Sequence, residues 1–178
     1  MIALEKARRH SENGDKVLFL CFNRFLRDYC RTNYPHNNIV YNTIDGFACS
    51  YCGTETADFL LLQEKLESSY FEGTFPFRHI IIDEGQDFGQ DRIEEADIIT
   101  TLETIVLSEE INGSFYLFYD KNQLIQGRRI PKYISDSDCK LTLYRNCRNT
   151  ENIAVTSMRP LGPSSKPKMF AGCVRGES

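Results

Sequence analysis

The run His79-Ile80-Ile81-Ile82-Asp83 constrains the fold of this chain more than any other stretch. Three β-branched residues in succession carry neither the polar alternation of a half-exposed strand nor a helical period. Such a run reads as a strand buried on both faces, the situation of a parallel sheet covered by helices. It stops abruptly at Asp83-Glu84-Gly85-Gln86-Asp87. In open α/β sheets ligands sit outside the carboxyl ends of the strands, so Asp83 and Glu84 are expected at a site. For an apolar run ending in one acidic pair, a solvated loop would be the plainer reading. Gln86 and Asp87 tip the balance towards function.

The flanking sequence supplies the remaining layers. Ile2 to Asn13 reads as a helix stopped by Gly14, and Val17 to Phe22 as an apolar strand. Asn23 is placed to cap a helix from Arg24 to about Asn33, and Thr43 to open another ending near Tyr51. Between them Ile39 to Tyr41 forms a short strand. A further helix is expected from about Glu55 to Tyr70, and an amphipathic one from Arg92 to Leu107, presenting Ile93, Ala96, Ile99, Leu102 and Val106. Ser114 to Tyr119 is the next strand and again ends on a carboxylate, Asp120. Lys140 to Leu143 is expected as a last strand and Asn149 to Ser157 as a last helix. Strands alternating with helices make the chain α/β with a mostly parallel sheet. At 178 residues and 41% hydrophobic it holds enough apolar sequence for about one domain. The expected division is a domain over residues 1–157 and a linker, or the start of another domain, over residues 158–178.

Charge and cysteine usage narrow the function classes. The net charge of −4 argues against a generally basic nucleic-acid binder, although an acidic excess lies in residues 1–120 and a basic one in residues 121–178. Seven cysteines, an odd number scattered among apolar residues, suit reduced thiols better than a disulfide framework. Cys49 and Cys52 form a C-x-x-C pair, but neither a second pair nor His10, His36 and His79 supply a partner set at the sequence spacing of a zinc site. With no signal peptide and no apolar stretch of spanning length, a cytoplasmic protein with no membrane partner is expected.

Two strands ending in Asp83-Glu84 and Asp120-x-x-Gln123 bring carboxylates and an amide to one sheet edge. That set suits phosphoryl transfer: one carboxylate holds Mg²⁺, another activates a water, and an amide senses the terminal phosphate. Arg145 and Arg148 are candidates for the cationic clamp, since a guanidinium offers planar paired donors to phosphate oxygens.

In order along the chain, five segments then resemble the motifs of superfamily 1 DNA/RNA helicases of the UvrD/Rep type. Asp83-Glu84-Gly85-Gln86-Asp87 is similar to the Walker B motif D-E-x-Q-D, Leu20 to Leu26 to motif Ia, and Asn42 to Phe47 to motif Ib. Tyr119-Asp120-Lys121-Asn122-Gln123 resembles motif III and Asn146-Cys147-Arg148-Asn149-Thr150 motif IV. The resemblance implies a RecA-like, P-loop NTPase-type sheet, with ATP and Mg²⁺ as cofactors and single-stranded DNA or RNA as partner. By that resemblance Asp83 binds Mg²⁺, Glu84 activates the attacking water, and Gln123 and Arg148 contact the γ-phosphate. Gln86, Asp87 and Asp120 line the nucleotide site, the first two coupling it to motif III. Phe22, Asn23, Arg24, Thr43, Arg128 and Arg129 are assigned to the nucleic-acid path. This sequence departs from the family at Asp45, where motif Ib has histidine, and at Cys147, where motif IV has an adenine-stacking tyrosine.

The glycine-rich loop G-x-x-x-x-G-K-[ST], whose amides and lysine cradle the phosphates, does not occur in the sequence. In this family it directly precedes the first helix, and motifs V and VI belong to a second RecA-like domain. The resemblance therefore implies a motor domain truncated at both ends, inactive in ATP hydrolysis by itself. The alternative from another class is a non-enzymatic module that keeps the fold and binds nucleic acid or protein. A third reading takes Asp83, Glu84, Asp87 and Asp120 as a stand-alone Mg²⁺-dependent phosphohydrolase or nuclease site.

Overall fold

The structure is a computed structural model that describes residues 2–120, 131–137 and 139–142, together with the backbone of 145–146 and 168–169. The chain divides into two compact units, Met1–Asp136 and Ser137–Ser178. The first unit holds a four-stranded, all-parallel sheet flanked by helices, an α/β arrangement consistent with a RecA-like fold.

Its elements are α1 (Ile2–Glu12), β1 (Val17–Cys21), α2 (Arg24–Asn33), β2 (Ile39–Asn42), α3 (Ile44–Cys52), α4 (Phe59–Phe71), β3 (His79–Asp83), α5 (Ile93–Leu107), β4 (Ser114–Leu117) and the single turn α6 (Lys132–Ser135). Strand order is β2-β1-β3-β4, with Cys21 beside Asp83 and Ile82 beside Leu117. The isoleucine run thus occupies an interior position of the sheet, and Ile80, Ile81 and Ile82 are fully buried. Two-residue periodicity sends neighbouring side chains into different layers. Val17, Phe19, Cys21 and Ile81 pack with Ala3, Leu4 and Ala7 of α1 and Cys30 of α2. Leu18, Leu20, Ile80 and Ile82 face Phe47, Leu62, Leu66, Ile99 and Leu102 of α3, α4 and α5.

The helix starts follow the cap chemistry read from sequence. Asn23 Oδ1 accepts from Leu26 N at 2.8 Å, and Thr43 Oγ1 from Gly46 N at 3.1 Å. The α4 helix begins four residues later than expected. Gly53, at φ 73°, closes α3 in the left-handed region, and Asp58 caps α4 by accepting from Leu61 N. In α5 the buried stripe is Ile98, Ile99, Leu102, Ile105 and Val106, whereas Ile93 is 73% exposed in the first turn. β4 ends at Leu117, two residues short of the expected Tyr119.

No strand forms over residues 140–142 in the second unit. A short parallel pairing joins β5 (Arg145–Asn146) to β6 (Lys168–Met169) instead. The expected helix over 149–157 lies outside the described residues. The described cysteines, Cys21, Cys30, Cys49, Cys52 and Cys139, are free thiols. Burial raises the pKa of Cys21 and Cys30, which act as small core residues. No helix among the described residues is long and apolar enough to cross a membrane.

Candidate functional site

The acidic motif begins where β3 ends, and its path is unusual from the first residue. Glu84 adopts φ 57°, ψ 43°, a left-handed conformation that costs a non-glycine residue about 1–2 kcal/mol. A 3₁₀ turn over Gly85–Asp87 follows. Gly85 N donates to Phe118 O at 2.9 Å, carrying the β3–β4 ladder past the last paired residues. A Cβ at Gly85 would lie 2.4 Å from Leu117 Cδ2, so glycine lets the turn cross the end of β4 closely.

Gln86 is fully buried at this crossing and joins the two strand ends. Its Nε2 donates to Glu84 Oε2 at 2.8 Å and lies 3.4 Å from Asp87 Oδ2, while its Oε1 accepts from Asp120 N at 3.2 Å. Asp83, Glu84, Gln86, Asp87 and Asp120 are therefore gathered at the carboxyl edge of β3 and β4. Tyr133 of α6 adds a lock that sequence reading missed. Its hydroxyl lies 2.8 Å from both the Gly85 and the Phe88 carbonyl oxygens, a shared donor that pins the turn. Burial, reinforced by Glu95 and Asp87, pushes the Tyr133 hydroxyl up, so it remains a protonated donor. The signal in sequence was only one aromatic in a polar segment, forty-eight residues from its first acceptor.

Phe22, Asn23, Arg24 and Thr43 line the same edge above β1 and β2. Phe22 is 42% exposed and meets Phe88 edge-on, ring centroids 5.6 Å apart. Asn23 and Thr43 spend their side-chain oxygens on the caps of α2 and α3. A cavity of about 150 Å³ lies here, lined by Phe22, Thr43, Asp45, Asp87, Phe88 and Arg92 among others. Asp45 does not stand as an uncompensated negative charge. Arg92 Nη1 donates to its Oδ1 at 2.8 Å while Arg92 Nη2 donates to Glu95 Oε1, and the guanidinium lies 5.1 Å from the Phe59 ring centroid. Arg92 is a second residue that sequence reading did not single out. Gln123, Arg128, Arg129 and Arg148 lie outside the described residues.

The chemistry at the edge is that of hard oxygen donors. Asp83, half-buried at the strand end, fits Mg²⁺ bound in the usual manner by one or two carboxylates with waters and substrate phosphates. Comparison with family profiles, curated proteins and solved structures returned no match. The functional reading therefore rests on the residues and their geometry.

Because Asn23 serves as a cap, its role can be separated from any contact with nucleic acid. Asn23→Ala is expected to lower stability by about 1 kcal/mol through loss of the α2 cap, measured by urea denaturation, whereas Asn23→Ser or Asn23→Asp retains it. If Asn23→Asp were as destabilising as Asn23→Ala, the cap would not be what matters at this position.

Proposed function

We propose that this chain is part of an ATP-dependent superfamily 1 helicase or translocase motor, contributing the Mg²⁺-binding and water-activating half of its nucleotide site. The observation that carries the reading is the buried Gln86 side chain, which ties the Walker B-like carboxylate Glu84 to the backbone of motif III-like Asp120. A motor needs such a link, because nucleotide state must reach the nucleic-acid path through fixed contacts between strand ends. On this reading the bound ATP–Mg²⁺ supplies the phosphoanhydride and the charge-neutralising cation. Asp83 would hold the metal and Glu84 would take the proton of the attacking water, while the γ-phosphate roles of Gln123 and Arg148 are implied by the resemblance alone. Phe22, Arg24 and the basic pair Arg128 and Arg129 would follow a single strand of DNA or RNA, stacking on bases and neutralising phosphates.

The sequence contains no glycine-rich phosphate loop, the element that cradles the phosphates in such motors. The expected result is that the purified 178-residue chain shows no single-stranded-DNA-stimulated ATP turnover and only weak ATP binding by calorimetry. Measurable stimulated turnover by this chain alone would overturn that division of labour.

A further inference from the structure

We propose that His10, Asp15 and His79 form a binding site for a divalent transition-metal ion of the zinc type, at the sheet edge opposite the acidic motif. The three residues come from the last turn of α1, the loop before β1 and the first position of β3. Parallel pairing of β1 with β3 places Val17 beside His79 and so brings distant stretches of sequence together. Each residue offers one ligand atom, and these atoms lie within 4.8 Å of one another.

The hydrogen bonding leaves a place for a cation. His79 Nε2 and Asp15 Oδ2 are 3.1 Å apart, while His79 Nδ1 lies 2.7 Å from Ser114 Oγ. With Nδ1–H donating to Ser114, the Nε2 lone pair faces a carboxylate oxygen, a contact that either a ring proton on Nε2 or a metal ion reconciles. A tautomer with the proton on Nε2 would satisfy that pair, but it does nothing for His10. The Nε2 of His10 is buried with no hydrogen-bond partner, and its ring stacks on His79 with centroids 3.7 Å apart. A metal ion at Asp15 Oδ2 gives both imidazoles a common partner after a small rotation of the rings. Arg78 binds the other oxygen of Asp15 at 3.2 Å, which holds the carboxylate and leaves Oδ2 to the ion.

Two imidazole nitrogens and one carboxylate oxygen form a donor set that zinc and its neighbours accept, with a fourth position left for water. Mg²⁺ and Ca²⁺ prefer oxygens throughout. The Ser114 hydroxyl then serves as the outer partner that fixes the His79 tautomer. The site lies about 13 Å from the carboxyl end of β3, given ~3.3 Å per residue from His79 to Asp83, so the two metal chemistries are separable.

The test is titration of the chelator-treated 178-residue protein with Co²⁺, followed by its visible d–d absorption. One Co²⁺ per chain is expected, with a four-coordinate spectrum, no thiolate charge-transfer band, and displacement by Zn²⁺. His10→Gln makes the cleaner variant, since His10 Nε2 has no hydrogen-bond partner to lose, and Asp15→Asn is the second. Each is expected to weaken Co²⁺ binding more than tenfold while circular dichroism stays unchanged, and Ser114→Ala by about tenfold. Asp83→Ala and the double variant Cys49→Ser/Cys52→Ser should leave the band intact. Absence of stoichiometric binding, retention of the band in His10→Gln, or a thiolate band lost with the cysteines would overturn the assignment.

Discussion

Glu84→Gln, introduced into a longer chain that carries a glycine-rich phosphate loop ahead of α1, is expected to cut single-stranded-DNA-stimulated ATP turnover by about 100- to 10,000-fold, the usual range for a positioned general base. The ATP dissociation constant should change little, because on the proposed reading the substitution removes a proton acceptor and leaves Asp83, the proposed Mg²⁺ ligand, in place. Geometry makes glutamine an informative replacement. The Glu84 carboxylate accepts from Gln86 Nε2 at 2.8 Å, and an amide oxygen at position 84 can accept the same bond. The turn should keep its shape while the base is lost. A fall in kcat at constant affinity marks a group acting on the reacting water, whereas a fall in affinity alone marks one that holds substrate. Turnover retained in Glu84→Gln would remove Glu84 from the chemistry. The backbone offers an independent check. Glu84 sits in the left-handed region, where glycine carries no Cβ penalty. Glu84→Gly should therefore also abolish turnover while leaving the fold intact, the pattern expected where backbone strain is tolerated for function.

What the sequence made legible follows from how local the cause is. The isoleucine run could hardly be anything but an interior strand, and its place between β1 and β4 agrees. Asn23 and Thr43 announced helix starts because a cap is a contact across three residues. The start of α4 was harder to read because residues 55–58 can continue a helical pattern. Gly53 in the left-handed region and the Asp58 cap decide the boundary instead. The expected strand at Lys140 to Leu143 had β-forming residues but needed a partner, and residues 140–142 form no strand. At the candidate site, the acidic motif was visible as a strand end, whereas Asp120, expected as one, stands three residues past the end of β4. Tyr133 and Arg92 were not, since their contacts span 48 and 47 positions and no local pattern encodes them. The same limit hid the His10, Asp15 and His79 cluster. The spacing of zinc ligands within one segment is readable, but a set assembled by strand register is visible only once the sheet is formed.

The buried amide that joins the strand ends gives the second large effect. Gln86→Leu keeps the volume of the side chain and removes both halves of its link, the donor to Glu84 and the acceptor for Asp120 N. Glu84 is half-buried, so water can replace the lost donor at its carboxylate. The Asp120 amide loses an acceptor in a part-buried setting, and a buried polar group left unsatisfied costs about 1–3 kcal/mol. For a domain of this size each kcal/mol lowers Tm by about 2–4 °C, so the expected loss is about 2–12 °C by calorimetry. Gln86→Glu separates packing from charge. It can still accept from the Asp120 amide but sets a second carboxylate, at a fully buried position, against Glu84 and Asp87, and like charges so placed disfavour each other. Gln86→Glu should therefore lose stability as pH rises through the carboxylate range, while Gln86→Leu shows a loss nearly independent of pH over the same interval. In the longer chain with the phosphate loop, both variants are expected to retain basal ATP binding and lose stimulation by single-stranded DNA, since the path between the two strand ends is gone. Full stimulation in Gln86→Leu, despite a lowered Tm, would show that Gln86 holds the turn together but carries no signal through it.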